Sequence, residues 1–74
     1  MSEMLSKREM DVLTLLADGS TLKAAALELG LSYGTIGTYV ARLYRKLGVN
    51  NRAQAVAWFV RRERYKETEY HANA

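Results

Sequence analysis

Four short polar positions, Ser6, Thr21, Ser32 and the pair Asn50-Asn51, each stand at the head of apolar residues spaced three and four apart. That arrangement writes four helices and leaves little chain for anything else. Ser6 with Glu9 three residues later makes a capping box, each side chain satisfying an orphan backbone N–H of the first turn. Behind it Met10, Leu13, Leu16 and Ala17 recur at helical spacing, flanked by Val12 and Leu15. Asp18-Gly19-Ser20 punctuates the chain, Gly19 being free to take the left-handed conformation that ends a helix. The first helix is therefore expected over 6–18. Thr21 heads Leu22, Ala25, Ala26 and Leu29, which Gly30 stops, for a helix over 22–29. Its three consecutive alanines favour helix and keep it slim. Ser32 heads Ile36, Tyr39, Val40, Leu43 and Leu47, which run to Gly48, for a helix over 33–47. Asn50 or Asn51 opens the fourth, with Gln54 placed to complete a box on Asn51, and a span of 51–65 is expected. Strand signals are nearly absent, and no Asn-Gly or Asp-Gly turn lies between alternating residues. The expected fold class is all-α, with four helices.

Such a chain must hold itself together by packing. Its 74 residues suffice for one domain, and they include no cysteine and a single histidine, His71. Disulfides are excluded, and a zinc site lacks ligands. Small domains without these supports often lean on a partner subunit. The longest apolar run, Ala55 to Val60, is far short of the roughly 18 residues that cross a bilayer and leads straight into Arg61 and Arg62. No basic-then-apolar signal segment opens the chain. A soluble cytoplasmic protein is expected, with a domain over 1–66 and a polar tail over 67–74 that frays and gives His71 no role. Met1 at the start and the untagged end suggest a complete small protein.

Charge is unevenly distributed. The net charge is +3, but residues 19–66 carry Lys23, Arg42, Arg45, Lys46, Arg52, Arg61, Arg62, Arg64 and Lys66 against only Glu28 and Glu63. Both ends are net acidic. A basic middle is what a nucleic-acid face needs, although solvated helix faces would look the same.

The second and third helices are joined by Gly30-Leu31-Ser32, the short glycine-containing turn of a helix-turn-helix. The surrounding residues extend this likeness. Leu5-Ser6-Lys7-Arg8-Glu9 with Val12-Leu13, then Gly19-Ser20-Thr21-Leu22-Lys23 with Ala26, Leu29 and Leu31-Ser32, then Thr35-Ile36, lead to Lys46-Leu47-Gly48-Val49-Asn50-Asn51-Arg52-Ala53-Gln54-Ala55-Val56. Over about residues 5–62 this resembles the LuxR/FixJ-type (GerE-like) helix-turn-helix family, most specifically in the last segment. A sigma-factor region 4 shares the turn and the Lys-Leu pair but not the Gly-Val-x-x-Arg that follows.

The resemblance implies a bacterial or phage transcription regulator that dimerises through the fourth helix and puts the third into the major groove of double-stranded DNA. It places a phosphate contact at Lys23. Arg42, Arg45 and Lys46 share one helix face at i, i+3 and i+4, where at least one is expected to bind phosphate and the others to form a solvated basic face. Base-edge and backbone contacts would come from Ser32, Tyr33, Thr35, Thr38 and Tyr39. Threonine can touch a thymine methyl or bond either base, and tyrosine more often bonds phosphate. Arg8, Glu9 and Arg52 match an internal polar set, so Glu9 is expected to cap the first helix and pair with Arg52. A two-fold interface is expected at Ala57, Trp58, Arg61 and Arg62. Most relatives carry the domain behind a receiver or ligand-binding domain, and this chain looks like a stand-alone member.

Departures bear on readout. Gly37 and Tyr39 stand where the family usually has Lys and His, and Leu22 and Ala24 flank Lys23 where it has Asn and Glu. Gly34 adds a second glycine, each costing about 1 kcal/mol against alanine in an exposed helix. No nucleophile–base or carboxylate pair is present, so no enzyme, cofactor or metal is expected. The expected function is a homodimeric DNA-binding regulator, with RNA polymerase or another LuxR-type regulator as further partners. The alternative is a protein-interaction module that heterodimerises with larger LuxR-type regulators and inhibits them.

Overall fold

The computed structural model describes residues 4–72, with side chains as far as Arg64. Its order is α1 (Lys7–Ala17), α2 (Leu22–Leu29), α3 (Tyr33–Leu47) and α4 (Arg52–Ala72), with no strand among the described residues. The all-α, four-helix expectation holds. α2 and α3 match the expected spans, and α1 differs only by one residue at each end. α4 is longer than expected, continuing to Ala72 instead of ending at 65. The side chains of the expected tail, His71 included, lie outside the described residues.

The helix starts follow local chemistry. Ser6 Oγ accepts from Glu9 N at 3.1 Å while Glu9 Oε1 accepts from Ser6 N at 2.8 Å, completing the capping box. Thr21 and Ser32 accept in the same way from Ala24 N and Thr35 N. The box at α4 is offset by one residue from the expected one. Asn51 Oδ1 accepts from Gln54 N at 2.9 Å, but Gln54 Oε1 takes the N–H of Asn50, at 2.7 Å, not that of Asn51.

α2 ends at Gly30, whose φ of 69° lies in the left-handed region. Gly30 N donates to Leu27 O and Leu31 N to Ala26 O, closing the last turn and reversing the chain before Ser32. A side chain at Gly30 would strain this turn, and with it the angle between α2 and α3.

α1 is the central element, packing on each of the other three helices, while α2 lies against α3. Val12, Leu13 and Leu16 of α1 are buried with Ala25 and Ala26 of α2, Ile36 and Leu43 of α3, and Ala55 of α4. Alanine on α2 and α4 lets their backbones approach the larger side chains of α1 and α3. Met10, Leu15, Tyr39, Val40, Leu47, Trp58 and Phe59 seal the margins.

Two polar links reach across the helices, and neither is the expected Glu9–Arg52 pair. Arg52 Nη2 donates to Leu16 O at 2.8 Å and Ser20 O at 2.6 Å. It satisfies one carbonyl in the last turn of α1, which carries no basic residue, and one in the segment that leads to α2. Glu9, 1% exposed, instead accepts from Lys46 Nζ at 2.9 Å and lies 4.0 Å from Arg42 Nε. The reason is geometric: α3 crosses α1 at its N-terminal cap, whereas α4 starts beside the other end of α1.

Burial alone would push the Glu9 carboxyl up, but the Lys46 ammonium and the Ser6 N–H and hydroxyl outweigh it and hold it below the ordinary glutamate value. A carboxyl lowered on folding stabilises the folded state above its unfolded pKa and loses that contribution as pH falls through the folded value. Melts of the wild type and Glu9→Gln should therefore differ most near neutrality and converge in acid, below about pH 4.3. A difference that stays constant with pH would show that the charge contributes nothing.

Candidate nucleic-acid interface

α3 has two unlike sides. Ile36 and Leu43 are buried, with Tyr39, Val40, Tyr44 and Leu47 half-buried beside them. The outward side carries Gly34, Gly37, Thr38, Ala41 and Arg45, recurring at three- and four-residue spacing, with Tyr33, Thr35 and Arg42 alongside. All of these are exposed, Tyr33 at 64%. For more than two turns this face bears nothing larger than threonine, and it ends on arginines.

Ser32 and Thr35 form one polar unit at the head of α3. Ser32 Oγ donates to Thr35 Oγ1 at 2.9 Å while accepting from Thr35 N. Thr38 Oγ1 donates to Gly34 O at 3.2 Å. Each hydroxyl is therefore oriented from within the helix, and Thr38 keeps acceptor capacity for an outside group. A Cβ built on Gly34 or Gly37 would meet nothing within 4 Å, and neither residue has positive φ. Nothing inside the described chain requires glycine at these two positions.

The basic residues that the charge count treats alike fall into distinct environments. Lys23, in the first turn of α2, and Arg45 are exposed and have no ion-pair partner among the described residues. Arg42 lies with its guanidinium carbon 5.7 Å from the Tyr39 ring centroid, close enough for a cation–π contact, and its side chain is 49% exposed. Lys46 faces inward to Glu9 and is 20% exposed. The candidate set is thus brought onto the outer side of α3 and the start of α2, except for Lys46 and for Tyr39, which is half-buried against the core margin. Ala41 was not singled out from the sequence, although its spacing from Gly37, Thr38 and Arg45 marks it as part of the same face.

The α4 candidates divide as well. Ala57 and Arg61 are exposed, on one face with Ala53, Val60 and Arg64. Trp58 instead turns toward the core and helps line a groove of about 370 Å³ with Leu5, Met10 and Leu47. Arg62 covers it, 5.9 Å from the ring centroid, and reaches Glu63 Oε2 at 3.3 Å. Val60, 43% exposed, is the large apolar side chain of α4 that stays open to solvent, at the margin beside Ala17 and Phe59.

Among the described residues no three His, Cys, Asp or Glu side chains gather as a metal site requires, and no helix is long and apolar enough to cross a membrane.

Comparison with known proteins places this geometry in context. Residues 3–59 match the model of the family described as "Bacterial regulatory proteins, luxR family". The chain is 51% identical over 53 residues to the probable transcriptional regulatory protein NarL of Mycobacterium tuberculosis, covering 72% of this chain and 24% of that one. It is 42% identical over 52 residues to the transcriptional regulatory protein DesR of Bacillus subtilis, covering 70% and 26%. A putative transcriptional regulator of Pseudomonas aeruginosa is 44% identical over 63 residues, covering 85% and 30%. The chain spans about a quarter of the length of the curated relatives it matches.

Proposed function

The chain belongs to the luxR family of bacterial regulatory proteins, and from that premise we propose that it is a DNA-binding transcriptional regulator, acting as a homodimer with α3 in the major groove. One observation carries this reading. α3 buries one side in the core and exposes on the other a face of glycine, threonine and alanine that ends on Arg42 and Arg45. A helix so stripped can approach base edges closely, while the arginines at its end and Lys23 on α2 reach the phosphates on either side.

Within this reading Thr35 and Thr38 offer methyl groups and hydroxyls to base edges, Tyr33 and Tyr39 serve the backbone, and Ser32 orients Thr35. Sequence readout then rests on close approach and methyl contacts, because Gly37 supplies no long donor. Two copies pair through α4, and the protein works in the cytoplasm alongside RNA polymerase. Family membership makes a regulatory role, not an enzymatic one, the premise for all of these roles.

Mobility shifts on upstream DNA and on random DNA at two salt concentrations test the proposal. Binding should weaken steeply with salt, and Arg45→Ala or Arg42→Ala should each lower the slope of log affinity against log salt by about 0.9 for every copy of α3 on the DNA. Affinity that does not respond to salt, or no binding to either DNA, would overturn it. In the second case heterodimerisation with a larger LuxR-type regulator becomes the reading to pursue.

A further inference from the structure

The three cations at the end of α3 are not equivalent, and Glu9 is what distinguishes them. Lys46 Nζ donates to Glu9 Oε1 at 2.9 Å and lies 3.5 Å from Met4 O, so the ammonium is held between α1 and the segment before it. Arg42 reaches the same carboxylate only at 4.0 Å and remains half exposed on the Tyr39 ring. Arg45 is exposed, with no ion-pair partner among the described residues. We propose, on the DNA-binding reading above, that Glu9 withholds Lys46 from DNA and so sets how many phosphates the end of α3 neutralises.

Burial makes the restraint effective. Glu9 is 1% exposed, and an ammonium that left it for a phosphate would strand a carboxylate in the protein interior. Separating a buried ion pair is far more unfavourable than one surface contact is favourable. Arg42 can lean toward the duplex without that penalty, because its bond to Glu9 is long and its guanidinium already faces solvent. Arg45 is free to bind outright. A sequence that offers three adjacent cations therefore presents one free, one shared and one withheld. The consequence is lower affinity for DNA of any sequence, which leaves a larger share of the binding to contacts that read bases.

The experiment follows fluorescence anisotropy on a random-sequence duplex between 50 and 200 mM KCl, with circular dichroism to confirm folding. Arg45→Ala is the reference for a lost contact and should make the slope shallower by about 0.9 for every copy of α3 on the DNA. Glu9→Gln should release Lys46 and make it steeper by about 0.9 for every copy of α3 on the DNA, each adding a loss of roughly threefold over that fourfold change in salt. The double variant Glu9→Gln/Lys46→Met should return to the wild-type slope, because Lys46 contributes nothing to it in the native protein. If Glu9→Gln does not fold, the double variant, uncharged at both positions, carries the test alone. A double variant shallower than wild type by the Arg45→Ala amount would show that Lys46 binds phosphate natively and overturn the proposal. So would a folded Glu9→Gln with an unchanged slope. Wild-type protein that binds no DNA at all would instead overturn the DNA-binding reading itself, a result readily told apart from either of these.

Discussion

Val60→Glu is expected to give a folded monomer whose affinity for a two-site DNA falls by about 10²–10⁴-fold, the range lost when linked binding events become independent. Ala53, Ala57, Val60, Arg61 and Arg64 recur at spacings that place them on one exposed face of α4. Two such faces can meet about a two-fold axis, the alanines letting the backbones approach and Val60 filling the centre. Pairing would set two copies of α3 about 34–36 Å apart, the repeat of the major groove along one side of DNA. A glutamate at the centre would bury an unpaired charge in the dimer while remaining solvated in the monomer. Because Val60 lies outside the buried core and is 43% exposed, the fold should survive. Trp58→Glu, by contrast, would drive a carboxylate into the half-buried margin beneath Arg62 and unfold the chain. Sedimentation velocity with and without DNA reads the first outcome, and thermal melts separate it from the second. A wild-type chain that stays monomeric on DNA, or a Val60→Glu chain that stays dimeric, would place the interface elsewhere or remove it.

Arg52→Met should be the most damaging polar substitution for stability. One guanidinium nitrogen bonds the carbonyls of Leu16 and Ser20 and so fastens the start of α4 to the end of α1. Methionine keeps the apolar stem and leaves both carbonyls without their charged donor. The expected loss is about 3 kcal/mol, which for a domain of this size lowers the melting temperature by roughly 12–24 °C. An uncrosslinked core of this length commonly supplies only about 3–5 kcal/mol in total. The variant should therefore be largely unfolded near 37 °C by circular dichroism. A shift of only a few degrees would mean that water replaces the guanidinium at both carbonyls.

The residues that set the helices act over three or four positions, which is why so much of the fold was legible in the chain itself. Ser6 with Glu9, Thr21, and Ser32 with Thr35 make their bonds within one turn, and Gly30 and Gly48 close the preceding turns in the same local way. The bare outer face of α3 was also legible, because exposure alternates with burial at helical spacing once Ile36 and Leu43 are taken as core. Glu9's need for a cation was readable too, but not which cation. Lys46, 37 positions away, and Arg52 are both bases on later helices, and only the crossing of α3 over the head of α1 decides between them. Trp58 and Val60 are alike in being large and apolar on α4, and the rotation of that helix against α1 puts one on the core and leaves the other outside. Capping, helical spacing and glycine stops depend on neighbours along the chain, and the sequence determines them by itself. Partner choice and outward direction depend on how whole helices are turned against one another, and the packing of Val12, Leu13, Leu16, Ile36, Leu43 and three alanines into one core decides them only when all four helices are in place.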